Sequence, residues 1–374
     1  LPLPDKPSIA VLAFYNLSGD PEQEYFSDGI SEEIISALSK TNKLFVIARN
    51  SSFVYKGKPV DVKQVSRELG VRYVLEGSVR KTEDRVRVNA QLIDAISGHH
   101  LWAERYDRDL KDIFALQDEI TLQIVTALEI KLTEGEQARM WGKHYKTLDV
   151  YIKRMEAHSL WREGTVESHM RHAQVSQEII DMAPESPLGY RLLGWYNWGL
   201  ALHSKSPQEF IGKTFKLAQK ALSLDESDAY SQALLGSVYL MMRKYEKAIA
   251  AGQRAVALSP NTAFIHNMLG WILNHADKPG EAVYHIEQGI RLNPFPEYYY
   301  FYNLGCSYRL KGLYEEALIA FKNAFHRAPD SFIVKLSLTS IYALLGRQEE
   351  AEAAAKKVLE INPNFSVASA SKGW

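Results

Sequence analysis

The chain has 374 residues, with 44 Lys and Arg against 45 Asp and Glu and a formal net charge of −1. The length predicts two or more domains, and the near-neutral balance argues against a dedicated nucleic-acid binder. A single cysteine, Cys306, excludes an internal disulfide and fits a reducing, cytoplasmic compartment, and no apolar run approaches the roughly 20 residues that cross a bilayer.

The opening Leu1 to Pro7 reads as an extended linker and, beginning on Leu, as part of a longer protein. An upstream signal peptide would move the whole to the periplasm. Ser8 to Phe14 is an apolar, β-branched run that predicts a buried strand. A helix follows from Asp28 or Ser31 through Leu38, with Glu32 and Glu33 in its first turn, where the helix dipole favours negative charge. Leu44 to Ala48 predicts a second strand, and Val62 to Leu69 a second helix ended by Gly70. Tyr73 to Arg80 and Arg85 to Asp94 predict an antiparallel hairpin. On its second arm Val86, Val88, Ala90 and Leu92 face one way, and Arg85, Arg87, Asn89 and Gln91 the other. His100 to Tyr106 adds a strand, and Ile113 to Leu132 a long amphipathic helix. Residues 7–132 thus read as a small α+β domain with a mixed sheet, followed by a linker over 133–148.

From there the period changes. Pro260, Pro294, Pro329 and Pro363 lie 34, 35 and 34 residues apart, and Gly236, Gly270 and Gly305 keep the same register, as do Ala248, Ala282, Ala317 and Ala351. Small residues mark close helix crossings, and proline ends the second helix of each pair. Two less regular copies precede these, around 149–184 and 187–226, the later with extra residues at Ser204 to Pro207. One helix pair cannot bury its apolar face alone, so the fold predicted for 149–365 is an all-α solenoid of about six pairs. Residues 366–374, with Trp374, read as a truncated capping helix.

The columns Leu235-Gly236 with Tyr239, Ala248, Ala255 and Pro260, and Leu304-Gly305 with Tyr308, Ala317, Phe321, Ala324 and Pro329, resemble the tetratricopeptide repeat. The last copy departs from the pattern at Thr339 and Val358. The front third carries Pro7 to Leu12, Leu17 to Asp20, Tyr25 to Ile30, Ala48 to Phe53, Glu68 to Ser78 and Leu101 to Asp107, which together resemble the TolB amino-terminal-like (FlgO-like) domain of bacterial signalling proteins. In that family the domain precedes tetratricopeptide repeats, and it often follows a class III adenylate/guanylate cyclase domain or a CadC-type winged helix. The resemblance implies neighbours, not a mechanism.

The tetratricopeptide resemblance implies a concave groove lined by the first helix of each pair. On that pattern the partner-binding residues are Arg191, Trp195 and Trp198, then Asn267, Trp271 and Asn274, then Tyr299, Tyr302, Asn303 and Arg309. Aromatic rings give contact area at low entropic cost, and Asn and Arg can hold a peptide backbone or a carboxylate. No carboxylate clamp of paired Lys and Asn is visible, so a C-terminal-peptide ligand is not implied.

A second candidate is electrostatic: residues 43–88 hold 11 basic and 5 acidic side chains, whereas 89–140 hold 5 and 10. Arg49, Lys56, Lys58, Arg85 and Arg87 read as a patch for an acidic partner or nucleic acid, or as half of a self-complementary homodimer. The pairs His99-His100 and His169/His172 lack companions at metal-ligand spacing. No phosphate loop, nucleophile elbow or HExxH segment occurs. The chain therefore reads as non-catalytic, without cofactor or metal: a protein-interaction and regulatory region of a signalling protein. The full-length alternatives are the regulatory part of a cyclase and the sensor half of a winged-helix regulator. On the main reading, occupancy of the groove would pass to the front domain along the Ile113–Leu132 helix.

Overall fold

A computed structural model describes residues 1–59, 61–132, 147–204 and 206–366. Most of the expected linker, Lys205 and the expected capping segment from 367 to Trp374 lie outside the described residues. The chain divides into two compact units: Leu1–Ile265 with Leu292–Pro294, and His266–Arg291 with the described residues from Phe295 onward.

The first unit opens on a six-stranded sheet in the order β3-β1-β4-β5-β6, with β2 paired to β4 off this path. Strands β1 (Ser8–Val11), β2 (Tyr15–Asn16) and β3 (Phe45–Val46) are short, whereas β4 (Tyr73–Lys81), β5 (Arg85–Asp94) and β6 (His99–Asp109) are long. Pairing is parallel among β3, β1 and β4 and antiparallel from β4 through β6. The strand expected over Ser8 to Phe14 ends at Val11; the chain shifts at Leu12 to Phe14, and β2 beyond it pairs farther along β4.

The β5 alternation is as the sequence implies. Val86, Val88, Ala90 and Leu92 are at most 2% exposed, and they pack against α1 (Glu24–Leu38) and α4 (Ile113–Ala127). From these helices come Phe26, Ile30, Ile34 and Leu38, and Ile113, Leu116, Ile120 and Ile124. Helix α2 is Arg49–Ser52. Helix α3 (Val62–Leu69) ends on Gly70 at φ 63°, a left-handed turn that glycine adopts without steric cost.

Two helices differ from expectation. Helix α1 begins at Glu24, so Glu32 and Glu33 stand about two turns inside it and are not first-turn residues. Helix α4 stops at Ala127, not Leu132. Glu129 turns left-handed at φ 53°, and the Ile130 amide donates back to the Val125 carbonyl at 2.9 Å, a closing motif that satisfies the last carbonyls. A single helix running through to Leu132, the expected carrier of a signal toward the repeats, is not what forms.

Helix pairs follow: α5 (Leu148–Glu163) with α6 (Val166–Met182), α7 (Pro187–His203) with α8 (Pro207–Leu224), and α9 (Ala229–Met241) with α10 (Tyr245–Leu258). Thr147 caps α5 by accepting from the Val150 amide, and Thr165 and Ser168 form a reciprocal capping box on α6. Helix α5 belongs to the sheet's core as much as to the repeats: Tyr151 and Met155 lie in the same apolar cluster as α1 and α4. Tyr151 meets Phe26 and Phe114 edge to face, with ring centroids 6.3 and 5.2 Å apart.

The second unit takes up the pattern with most of α11 (Ala263–His275) and α12 (Pro279–Leu292), then α13 (Tyr298–Leu310), α14 (Tyr314–Arg327), α15 (Phe332–Leu344) and α16 (Gln348–Ile361). Its glycine column is steric. A methyl group on Gly305 would lie 2.6 Å from the Phe321 ring, and one on Gly270 2.3 Å from Ile286. Ala317, Phe321 and Ala324 are fully buried beneath these crossings. Among the described residues no helix is long and apolar enough to cross a membrane.

Candidate functional site

Within the first unit, one charged cluster joins α1 to the helices that follow. Glu32 accepts from His158 Nδ1 at 2.6 Å and lies 3.3 Å from Arg49 Nε and 3.5 Å from Arg162. The next residue, Glu33, pairs with the buried guanidinium of Arg154. Asp28 takes Arg49 at 3.3 Å and Lys56 at 2.6 Å, and Lys56 also reaches Glu24 at 2.8 Å. His158, Arg162 and Arg154 all lie on α5, so two guanidinium groups and an imidazole of the first repeat helix face two acids of α1, and burial lowers the pKa of that imidazole.

Burial alone would raise the Glu32 pKa. The charge and hydrogen bond of His158, with Arg154 and Arg49, outweigh it and hold the carboxyl well below the usual carboxylate range. Main-chain bonds extend the junction. The Asn261 amide donates to the Ser39 carbonyl at 3.2 Å, and the Ala48 amide donates to the Leu292 carbonyl at 2.8 Å. Ser51 Oγ donates to Asn293 Oδ1 at 2.6 Å.

Arg191, Trp195 and Trp198 fall in this unit. Arg191 is bound to Asp228 at 2.7 Å and sits 5.3 Å from the Tyr230 ring centre. Trp195 is buried and packs edge to face on Trp198 and Phe264, at 5.3 and 5.2 Å. These three side chains are engaged within the fold, in ion pairing and helix packing.

The remaining groove candidates gather in the second unit. Asn267 and Asn274 stand two turns apart on α11, facing Asn303 and Ser307 one turn apart on α13. Asn303 Nδ2 donates to Asn267 Oδ1 at 3.2 Å, Asn274 Nδ2 to the Asn303 carbonyl at 3.0 Å, and Ser307 Oγ to Asn274 Oδ1 at 2.7 Å. The three asparagines are between 1 and 7% exposed. They form an internal polar ladder between the two helices, a satisfied network of the kind that fixes helix register.

Tyr299, Tyr302 and Arg309 recur at spacings of three and seven on α13 and are half-buried, as is Trp271 on α11. Tyr302 packs 6.1 Å from Phe321, and Trp271 meets His275 edge to face at 5.2 Å. Burial first, and then Cys306, raise the Tyr302 pKa, so at neutral pH its hydroxyl is a donor.

The basic patch expected on the front domain is largely neutralised. Arg49 and Lys56 belong to the cluster above, and Arg85 and Arg87 both grip Asp107, at 2.6 Å for the nearest Arg85 contact. Hydrogen bonds from Arg85 and then Arg87 pull the Asp107 carboxyl down to about 2. Lys58 is exposed. His169 and His172 both lie against Trp161, at 5.2 and 5.1 Å, and burial pushes His172 down to about 4. The residues that sequence reasoning missed are Arg154, His158 and Arg162, whose partners lie more than 120 positions away.

Comparison with known proteins agrees with this architecture. Residues 302–364 and 229–262 match family models described as tetratricopeptide repeat. Over 249 residues the chain is 44% identical to a protein of Rhizobium meliloti (strain 1021) named "Putative adenylate cyclase 3". That stretch is 66% of this chain and 42% of the relative, so the chain spans less than half of the relative's length. Among solved structures, it is similar to a monomeric mutant of IFIT1 with Gppp-AAAA, at a TM-score of 0.51 and 15% identity, covering 66% of this chain and 58% of that one. It is also similar to YrrB, described as a TPR protein with an unusual peptide-binding site, at a TM-score of 0.37 and 21% identity, covering 54% of this chain and 100% of that one. At 15% identity the likeness to the IFIT1 mutant is one of fold. The chain is thus a mixed-sheet α+β segment followed by about twelve helices of a tetratricopeptide solenoid.

The Glu32 cluster has a pH signature. Its folded pKa lies below the unfolded value of about 4.3, so its contribution is present above that pH and is lost as pH falls through the folded value. Glu32→Gln should lower stability at pH 7 by about 1–3 kcal/mol. The deficit relative to wild type should shrink below about pH 4.3, as followed by urea titration at a series of pH values. A deficit unchanged between neutral and acid pH would contradict this reading.

Proposed function

We propose that this chain is a non-catalytic protein-interaction and regulatory region of a bacterial signalling protein, and that α11 and α13 hold a partner segment. One observation carries the reading. Tyr299, Tyr302 and Arg309 are half-buried on a helix locked to α11 by the asparagine ladder, beside that ladder, with Trp271 half-buried on α11 itself. A surface pre-organised in this way loses little entropy on binding. Aromatic rings and a guanidinium are the residue types that anchor interfaces. Arg191, Trp195, Trp198 and the three asparagines then serve as support, because their side chains are engaged within the fold.

Site-specific photocrosslinking in cells tests this. A benzophenone residue at Tyr299 should capture a partner, whereas one at Tyr284, an exposed position on α12, should not. Equal capture at both positions, or capture only at Tyr284, would refute the assignment.

A second reading is favoured by the 44% identity to a protein named as an adenylate cyclase, of which this chain covers only part. On that reading the chain is the regulatory portion of a class III cyclase, and catalysis belongs to another segment of the full protein. The isolated chain should then form no cyclic AMP from ATP. Measurable turnover by the chain itself would overturn both readings.

A further inference from the structure

Strand β6 ends the sheet order, so among the described residues no further strand pairs with one side of its backbone. It runs for eleven residues without proline, and His99, His100, Leu101, Ala103, Glu104, Arg105 and Arg108 are exposed. A long exposed edge is a template for another strand unless the chain forbids it. Charge is the usual way of forbidding it, and β6 is rich in charge, so the arrangement of those charges decides the matter.

We propose that β6 pairs antiparallel with β6 of a second copy, about a two-fold axis through Tyr106, merging two sheets into one. An axis normal to the sheet keeps each residue on its own face, so opposed positions share the same parity and the axis must pass through a residue. With Tyr106 at the centre, Glu104 faces the partner's Arg108 and Arg105 faces the partner's Asp107, each pair occurring twice. Centring on Glu104, Arg105, Asp107 or Arg108 sets a charged residue against its own copy. Centring on Ala103 or Trp102 opposes no carboxylate to a guanidinium.

Within β6 the sign pattern Glu104, Arg105, Tyr106, Asp107, Arg108 is therefore complementary to its own reverse in one register alone. Opposite charges directly across an antiparallel pair stabilise it, and like charges destabilise it. The existing neighbours leave this geometry open. Asp107 is held on the open face by Arg85 and Arg87, Arg105 lies 3.9 Å from Asp107, and Arg108 reaches Glu119 at 3.2 Å with both side chains largely exposed. The Tyr106 ring is buried in the core and does not obstruct the axis. The inference is independent of the partner surface on α11 and α13.

Sedimentation velocity of the chain over a concentration series tests it. The wild type should form dimers that weaken as salt rises, since the four pairs are exposed to screening. Arg105→Glu combined with Arg108→Glu opposes like charges at all four positions and should weaken association by about tenfold or more, with an unchanged circular dichroism spectrum. Glu104→Arg combined with Arg108→Glu exchanges one set of charges across the axis and leaves Arg105 and Asp107 unchanged, so all four pairs stay complementary and the dimer should persist. Arg105→Glu alone serves as the check if a double variant fails to fold. A wild type that stays monomeric at its highest soluble concentration, or a dimer that survives charge reversal, would overturn the proposal.

Discussion

The charged junction between α1 and α5 is the constraint on which the first unit depends. Glu32 and Glu33 meet His158, Arg162 and Arg154 in a setting where removing any one partner leaves another charge poorly compensated. That junction explains why Tyr151 and Met155, residues of a repeat helix, sit in the apolar core of the sheet. Charge specifies the pairing, and apolar burial supplies the favourable energy. The sheet segment and the helices up to α10 accordingly form one compact body, and the chain's physical division falls inside the repeats, between Ile265 and His266.

The second unit shows polar specification of a different kind. Asn267, Asn274, Asn303 and Ser307 satisfy one another between two helices, so their value lies in fixing one packing register over its alternatives. On the proposed reading, that rigidity holds the neighbouring Tyr299, Tyr302 and Arg309 in place for a partner. The same distinction explains the front domain's basic residues: Arg85 and Arg87 are numerous but spoken for by Asp107, so a count of charges overstates the field they project.

Much of the fold was legible in the sequence because its signals are local. The Gly236, Gly270 and Gly305 column reports helix crossings directly, and the β5 alternation separates core from solvent residue by residue. Gly70 marks a helix end because only a left-handed residue closes it there. The end of α4 was not legible, since the left-handed closing residue is Glu129 and nothing in its type announces that conformation. The groove was legible only as a set of faces. Periodicity places Asn267, Asn274 and Asn303 on the first helices of their pairs, yet whether an amide meets a ligand or a neighbouring helix depends on distances that spacing does not encode. The α1–α5 junction had no local signal, and Glu32 and Glu33 carried a misleading one, because acids near an expected helix start suggest a dipole role.

The central claim is that the sheet segment and the first repeat pairs are one cooperative body held at α1. Native-state hydrogen exchange under increasing denaturant measures this directly, since residues of one cooperative unit open together. The amides of β5, α1 and α5 should merge into a single opening with a shared free energy and denaturant dependence. Exchange from α5 through a separate, less costly opening while β5 stays protected would contradict the account.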